Sequence, residues 1–322
     1  MTDQRPVLWI TRQLSSNTVA RAVRDYNTIL EPQDIPASAA RIIEMSNEVD
    51  AILPCHSEIF SSEVANRLGS RLKIIANHSV GVDHCDLDAL AKRGIVVTNT
   101  PDVLSDATAE IAILLMLGAA RRAVEGDAIV RHQQWDSWSP SFMVGHQVTG
   151  KRLGIVGMGR VGQVVARRAA GFDMQVHYHN RKRLDPELER GAVFHENLDS
   201  LLEISDVLSL HCPATPQTSK LMNHRTLSML PKNAILVNCA RGALVDEDAL
   251  IAALDSGRIA AAGLDCFEVE PGGNPSFSTH QNLFMLPHIG SATFETRDAM
   301  GFRALDNLDA FFKGETPKDK LV

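Results

Sequence analysis

The chain has 322 residues, which is enough for two domains that each bury a core of their own. Its 44% apolar and 22% charged residues are ordinary for a globular protein, and its net charge of −7 argues against nucleic acid or an anionic membrane as a partner. No apolar run is long enough to span a bilayer, and the first residues lack the layout of a signal peptide. Five scattered cysteines without a C-x-x-C pair favour reduced thiols over disulfides or a zinc site, so we expect a cytoplasmic protein without a bound metal.

In chain order, short apolar runs typical of strands alternate with helical patterns, which predicts parallel βαβ units. The strands predicted in the first hundred residues are Val7–Thr11, Ala51–Pro54, Leu72–Ala76 and Ile95–Thr98. A buried helix rich in alanine is then expected over Ser105–Ala120, and an irregular segment over Trp135–Gly150. A second series of strands is predicted at Arg152–Val156, Gln175–His179, Val207–His211, Ala234–Asn238, Ala261–Asp265 and Asn282–Leu286. A final helix is expected over Ser291–Lys313.

A glycine-rich motif follows the first strand of the second series, where Gly157, Gly159 and Gly162 form G-x-G-x-x-G ahead of a helix predicted over Gln163–Gly171. Gly157 permits a tight turn, Gly159 lets a pyrophosphate approach the backbone, and Gly162 lets helix and strand pack closely. The helix N-terminus offers N–H groups and a positive dipole end to phosphates. A glycine turn without a ligand is the alternative, but the flanking strand and helix favour a dinucleotide site.

The end of the next predicted strand carries His179-Asn180-Arg181-Lys182-Arg183 and no carboxylate. NAD sites usually place Asp or Glu there to hold the ribose 2′-hydroxyl, whereas a 2′-phosphate suits arginine. We therefore expect NADP(H) to be preferred, with NAD(H) possible. Asn180 and Arg181 are the predicted contacts, assisted by Lys182 or Arg183, and a solvated basic turn is the alternative.

Three later segments place Arg241, Glu270 and His288 at or just beyond the C-terminal ends of predicted strands, where open α/β sheets bind ligands. Reduction of a 2-oxo acid needs a cation for the carboxylate and a proton donor for the carbonyl oxygen. A histidine oriented by a carboxylate is such a donor, and arginine binds a carboxylate with two parallel hydrogen bonds. Each residue alone has an ordinary structural explanation, but their conjunction predicts a catalytic site.

These motifs together resemble the D-isomer-specific 2-hydroxyacid dehydrogenase family over about residues 50–317, and within it the reductases of glyoxylate and hydroxypyruvate. The resemblance implies that Arg241 binds substrate, Glu270 orients His288, and His288 is the general acid and base. It also implies that Ser79, Val80 and Gly81 form a loop that binds the substrate carboxylate. The cofactor contacts that it implies are Thr108, Met158, Gly159, Arg160, Val161, His211, Pro213, Thr218, Cys239, Ala240, Asp265 and Gly290.

The same resemblance implies two Rossmann-like or flavodoxin-like α/β domains with parallel sheets, the cofactor domain inserted into the substrate domain. We expect the substrate domain at residues 1–100 plus 290–322 and the dinucleotide-binding domain at residues 101–289. A homodimer is usual in the family. Trp135 and Trp138 fall in a region that in some of these reductases reaches the partner's active site, although simple packing between subunits is an equal alternative.

The expected activity is reduction of small 2-oxo acids, glyoxylate and hydroxypyruvate, to glycolate and D-glycerate with NADPH. A dehydrogenase for another D-2-hydroxy acid is one alternative, with lactate, phosphoglycerate or the acid of a bulkier 2-keto acid as its substrate. Phosphoglycerate is the least favoured of these substrates, because no regulatory domain follows Val322. A nucleotide-sensing interaction module is the other alternative, and it would tolerate loss of the catalytic residues that this sequence retains.

Overall fold

The structure is a computed structural model that describes residues 5–322. The chain divides into two compact units. The first contains the described residues up to Leu104 together with Ser291–Val322, and the second contains Ser105–Gly290. Among the described residues, no helix is both long and apolar enough to cross a lipid bilayer.

Within the described residues, the first unit is built on a five-stranded parallel sheet in the order β2-β1-β3-β4-β5. Its strands are β1 (Val7–Ile10), β2 (Asn27–Leu30), β3 (Ala51–Leu53), β4 (Ile74–Ala76) and β5 (Val96–Thr98). Its helices are α1 (Ser16–Asp25), α2 (Ala39–Met45), α3 (Ser62–Arg67), α4 (Leu87–Lys92) and, at the other end of the chain, α12 (Phe294–Phe312). This strand order is that of flavodoxin-like domains.

The second unit has a seven-stranded parallel sheet in the order β12-β11-β10-β9-β6-β7-β8. Its strands are β6 (Arg152–Val156), β7 (Gln175–His179), β8 (Val193–Phe194), β9 (Val207–Leu210), β10 (Ala234–Asn238), β11 (Ile259–Leu264) and β12 (Leu283–Met285). Its helices are α5 (Ser105–Ala120), α6 (Ala123–Arg131), α7 (Arg160–Ala169), α8 (Pro186–Glu189), α9 (Leu198–Leu202), α10 (His224–Met229) and α11 (Glu247–Asp255). The order is that of a Rossmann sheet with one added strand, and it reverses between β6 and β9.

Both sheets are covered on their two faces, which explains the nearly continuous apolar strands. In β1, Trp9 packs into one core cluster while Leu8 and Ile10 pack into another, and all three are fully buried. The predicted α/β class with two parallel-sheet domains is confirmed.

The sequence analysis was wrong at several boundaries. It missed the edge strands β2 and β8, which are short and only partly buried, so they lack an apolar run. Predicted strands continued past the sheet at Thr11, Pro54, His211 and Asp265, which lie in the loops that follow. The helix after the glycine motif starts at Arg160 rather than Gln163, because its N-cap position is Gly159, inside the motif. Residues 135–150 contain neither helix nor strand, as predicted.

The C-terminal tail of the first unit returns to its sheet and is fastened by Asp319. The Asp319 carboxylate accepts from Arg303 Nε and Nη2 at 2.5 and 2.8 Å and from Asn307 Nδ2 at 3.0 Å. Two residues later, Leu321 N donates to Val97 O at 2.8 Å. Burial acts to raise the pKa of Asp319, but the hydrogen bonds and charge of Arg303 and Asn307 hold it below its ordinary value.

We expect Asp319→Asn to lower the free energy of unfolding by about 2 kcal/mol near neutral pH, because charge-assisted hydrogen bonds are lost. A depressed carboxyl pKa stabilises the fold above the unfolded pKa of about 3.9, and this contribution disappears as pH falls through the folded value. The difference between variant and wild type should therefore shrink in acid. Denaturant titrations at neutral and acidic pH measure it, with Glu63→Gln, which removes an exposed ion pair to Arg67, as the control. A difference independent of pH would contradict the assignment.

Candidate active site

The glycine loop joins β6 to α7 where the strand order of the second sheet reverses. Gly157 has φ +91°, and a Cβ there would lie 2.5 Å from the backbone nitrogen of Cys212, so no other residue fits the turn. A Cβ on Gly159 would meet nothing within 4 Å. Gly159 is also the N-cap of α7 and offers no side-chain hydrogen bond to the helix N–H groups. An open face beside an uncapped helix N-terminus fits the pyrophosphate of a dinucleotide.

The remaining residues of this loop lie in the first turn of α7. Arg160, Val161 and Gly162 are all helical. A Cβ on Gly162 would lie 2.6 Å from the carbonyl oxygen of Gly157, which agrees with its expected role in close packing. The side chain of Met158 is buried and is directed into the core of the unit, so only its backbone faces the loop.

Asn180 ties the end of β7 to the glycine loop. Its side-chain Oδ1 accepts a hydrogen bond from Met158 N at 2.7 Å, and Gly157 N donates to His179 O at 3.0 Å. The side-chain oxygen of Asn180 is therefore engaged within the protein, and its amide group is the part that can donate to a ribose. This structural role of Asn180 was not predicted from the sequence.

The basic turn after Asn180 divides into two parts. Arg181 and Lys182 are exposed and make no side-chain hydrogen bond or ion pair with another described residue. Arg183 instead donates to both carboxylate oxygens of Glu189, at 2.8 and 3.0 Å. Arg183 was expected to assist cofactor binding, but the structure shows that its guanidinium is already paired with Glu189.

The loop after β9 carries His211, Pro213 and Thr218, which were predicted to contact the cofactor and which are held by hydrogen bonds within the protein. His211 N donates to Val156 O at 2.8 Å, and its ring contacts Ser209 Oγ at 2.8 Å and the Cys239 thiol at 3.6 Å. Burial lowers the pKa of His211 to about 4, so the ring is neutral near pH 7. Thr218 Oγ1 donates to Pro213 O at 2.7 Å and closes the loop.

The loop after β10 carries Cys239, Ala240 and Arg241 and is fixed by Asn238, which the sequence analysis overlooked. Asn238 Oδ1 accepts from Ala240 N at 3.1 Å, and its Nδ2 donates to Arg241 O at 2.9 Å. Cys239 is buried, and burial raises the pKa of its thiol to about 12. A Cβ on Gly242 would lie 1.9 Å from the backbone of Phe267, so the loops after β10 and β11 touch here.

Asp265, at the end of β11, holds the loop that carries His288. Its Oδ1 accepts from Ile289 N and its Oδ2 from Gly290 N, both at 2.8 Å. Asp265 is buried, and this burial raises the pKa of its carboxyl group. Thr108, from α5, lies beside Gly290 in this loop, since a Cβ on Gly290 would be 3.4 Å from the Thr108 methyl group.

His288 and Glu270 form the pair that the sequence predicts. His288 Nδ1 lies 2.5 Å from Glu270 Oε2, and Glu270 Oε1 accepts from Phe267 N at 2.8 Å. Both side chains are about one-third exposed, at 31% and 27%. The pairing fixes the ring through Nδ1, an arrangement suited to a histidine that transfers a proton.

The backbone at His288 is in the left-handed region, with φ +53°. This conformation is costly for a residue with a side chain and persists only where neighbouring contacts enforce it. The two hydrogen bonds from Ile289 and Gly290 to Asp265 supply that enforcement immediately after His288.

The predicted substrate loop, Ser79–Gly81, belongs to the first unit. Its three carbonyl oxygens accept internal hydrogen bonds, from Thr100 N at 2.9 Å, Asn99 Nδ2 at 2.8 Å and Ser79 Oγ at 2.8 Å. Within residues 5–322, no acceptor is found for the N–H groups of Val80 and Gly81. The loop therefore presents donors, as a carboxylate-binding nest does.

Comparison with known proteins shows which family the chain is similar to. The sequence model of the D-isomer specific 2-hydroxyacid dehydrogenase NAD-binding domain matches residues 113–290. The chain is 43% identical to a glycerate dehydrogenase of Hyphomicrobium methylovorum, and the match covers 95% of each chain. It is 42% identical to a glyoxylate reductase of Thermococcus litoralis, and that match covers 97% of this chain and 96% of the reductase. Its structure is similar to that of an NADPH-dependent glyoxylate/hydroxypyruvate reductase of Sinorhizobium meliloti bound to NADP and malonate. That likeness has a TM-score of 0.87 and 32% identity over 99% of this chain and 97% of that one.

A Rossmann sheet with a glycine loop and a carboxylate-oriented histidine defines an oxidoreductase that uses a nicotinamide dinucleotide. The chain belongs to the D-isomer specific 2-hydroxyacid dehydrogenase family, which confirms the resemblance seen in the sequence.

Gly157 and Gly159 should respond differently to replacement by alanine. Gly157→Ala should unfold the unit or lower its melting temperature markedly, because it combines a positive φ with a backbone clash. Gly159→Ala should leave the melting temperature unchanged and weaken dinucleotide binding roughly tenfold, equivalent to ~1.4 kcal/mol, because its methyl group occupies the pyrophosphate face. Calorimetric titration and thermal unfolding measure both. Undiminished binding by Gly159→Ala would argue against the site.

Proposed function

We propose that this protein is an NADPH-preferring reductase of small 2-oxo acids, converting glyoxylate and hydroxypyruvate to glycolate and D-glycerate. The observation that carries the proposed chemistry is the 2.5 Å contact between His288 Nδ1 and Glu270 Oε2. The named activities of its relatives, glyoxylate reductase and glycerate dehydrogenase, support the choice of substrates. The basic turn after β7 and the NADPH-dependent relative from Sinorhizobium meliloti support the choice of cofactor.

In this mechanism the glycine loop and Asn180 would hold the dinucleotide, and the chemistry that its nicotinamide would supply is hydride for C2 of the oxo acid. In the second unit, Arg241 holds the substrate carboxylate through a two-point ion pair. Protonated His288 donates its Nε2 proton to the carbonyl oxygen as negative charge develops there. Glu270 stabilises the imidazolium through Nδ1 and fixes the ring, because charge complementarity and the hydrogen bond act on the same atom.

We also propose that the protein assembles as a homodimer. Trp135 and Trp138 are 57% and 74% exposed, and Phe142 and Val144 nearby are exposed as well. Such a run of large apolar side chains in one irregular segment is typical of a surface covered by a partner. A second copy of the chain is the occupant that the family resemblance favours.

Replacing His288 should abolish turnover and spare cofactor binding. We expect His288→Ala to lower kcat by about 100- to 10,000-fold, the usual contribution of general acid catalysis, with an unchanged dissociation constant for NADP⁺. The control is His280→Ala, which removes another histidine paired with a carboxylate, Asp255 at 3.1 Å, from the same unit. NADPH oxidation with glyoxylate and with hydroxypyruvate measures kcat. Wild-type kcat in the His288 variant would refute the assigned role.

Arg181 is the test of the cofactor preference. We expect Arg181→Ala to raise KM for NADPH about tenfold or more, because a charge-assisted hydrogen bond to the 2′-phosphate is lost, and to leave KM for NADH nearly unchanged. Arg67→Ala, in the first unit, removes a similarly exposed arginine and should change neither constant. An equal rise in KM for NADPH and for NADH in Arg181→Ala would contradict the proposed preference.

A further inference from the structure

The basic turn after β7 is fastened at its far end by a cluster of three side chains, Tyr178, Arg183 and Glu189, which we call the brace. Tyr178 Oη donates to Glu189 Oε1 at 2.5 Å and accepts from Leu184 N at 3.0 Å. Arg183 donates to both oxygens of Glu189, from Nε at 2.8 Å and from Nη2 at 3.0 Å. The brace therefore fixes both the side chain of Arg183 and the backbone that follows it.

The brace is rooted in the interior and reaches the surface through Arg183. Tyr178 is fully buried and the Glu189 side chain is 8% exposed, whereas the Arg183 side chain is 63% exposed. Its guanidinium also lies 5.9 Å from the centre of the Phe194 ring. Arg183 thus covers a buried carboxylate and cannot swing toward a ligand without uncovering it.

Near neutral pH, Glu189 is charged and Tyr178 is neutral. The Arg183 hydrogen bonds, followed by that of Tyr178, lower the pKa of Glu189 to about 2, so its carboxylate stays charged. Burial, with the Glu189 hydrogen bond, raises the pKa of Tyr178, so its hydroxyl remains a donor. A fully charged Glu189–Arg183 pair with two parallel bonds has one well-defined geometry.

The brace is one of two anchors that enclose a very short segment. At the near end, Asn180 Oδ1 accepts from Met158 N at 2.7 Å. Between Asn180 and the brace lie only Arg181 and Lys182, whose exposed side chains make no hydrogen bond or ion pair with other described residues. Two basic side chains without protein partners are thus displayed on a turn that is fixed on both sides.

We propose that Glu189 is a positioning residue for recognition of the cofactor 2′-phosphate, acting through Arg183 and Leu184 to hold Arg181 and Lys182 in their binding orientation. The inference rests on the proposed preference for NADP(H) and adds a residue remote from the glycine motif to it. A turn that is already ordered loses less conformational entropy when it binds, so the affinity gained is specific to the ligand that carries the phosphate.

A purely electrostatic role and a positioning role of Glu189 predict opposite changes in NADP⁺ affinity when its charge is removed. A carboxylate near a phosphate repels it, so Coulomb interaction alone predicts that Glu189→Gln tightens the binding of NADP⁺. A positioning role predicts weaker binding, because the glutamine amide cannot form the ion pair that holds Arg183. The sign of the change therefore separates the two explanations.

The experiment is calorimetric titration of Glu189→Gln with NADP⁺, NAD⁺ and 2′,5′-ADP. We expect the dissociation constants for NADP⁺ and 2′,5′-ADP to rise about fivefold, which corresponds to the net contribution of one ordinary hydrogen bond, and that for NAD⁺ to stay within about twofold. The kcat for glyoxylate should not change. Asp199→Asn is the matched control, since it also removes one negative charge and an arginine ion pair, to Arg225 at 2.9 Å, from the same unit.

Arg183→Lys covers the case in which the glutamine variant folds poorly, because residue 183 is exposed and lysine keeps the positive charge. We expect it to weaken NADP⁺ selectively as well, since lysine cannot make the two parallel bonds. Tighter or unchanged NADP⁺ binding in a folded Glu189→Gln protein, or equal weakening of NADP⁺ and NAD⁺, would overturn the inference.

The failure of this inference is distinguishable from failure of the proposed cofactor preference. If Arg181→Ala weakens NADP⁺ selectively while both brace variants do not, the preference for NADP(H) stands and the positioning role falls. If Arg181→Ala affects the two cofactors alike, or the wild-type protein binds NAD⁺ more tightly, the cofactor preference falls and the brace inference falls with it.

Discussion

Hydrogen bonds from backbone N–H groups to carboxylate or amide side chains just beyond the strands are the interaction on which the rest of the second unit depends. Where a parallel strand ends, the next N–H groups have lost their ladder partners and must find other acceptors. Asn180, Asn238 and Asp265 supply them, with bonds of 2.7 to 3.1 Å. Asn180 and Asp265 bond to N–H groups of other loops, and Asn238 bonds within its own loop. Each such bond fixes the direction in which the following residues leave the sheet, and those residues carry the chemistry.

This constraint explains how an energetically unfavourable backbone is maintained at His288, the residue that we propose as the general acid. The φ of +53° at His288 would relax in an unrestrained loop. It is maintained because Asp265 holds the next two N–H groups, while Glu270 holds the ring itself. The strain and its restraint together place the imidazole on a rigid support, which proton transfer over a hydrogen-bond distance requires.

The parts of the site that could be predicted are those whose chemistry is written in a short stretch of sequence. The glycine motif shows its turn, helix and phosphate face within eleven residues, and Arg241, Glu270 and His288 each follow a recognisable strand. The supporting bonds could not be predicted in this way, because Asn180 bonds a residue 22 positions away and Asp265 residues 24 and 25 positions away. The sequence also could not show which of Arg181 and Arg183 is paired within the protein and which is available to a ligand. Only the fold shows that Glu189 pairs with the second and not with the first.

The two carboxylates near His288 differ in a way that suits proton donation. Glu270 is partly exposed and contacts the ring directly, whereas Asp265 is buried and acts through the backbone of the loop. Burial raises the pKa of Asp265, while two N–H bonds and the positive charge of His288 act to lower it. Asp265 therefore acts on His288 through the backbone, by holding Ile289 N and Gly290 N, whereas Glu270 acts on the ring itself. The position of the loop and the orientation of the imidazole thus depend on two different carboxylates, and both must be in place for the ring to keep one geometry.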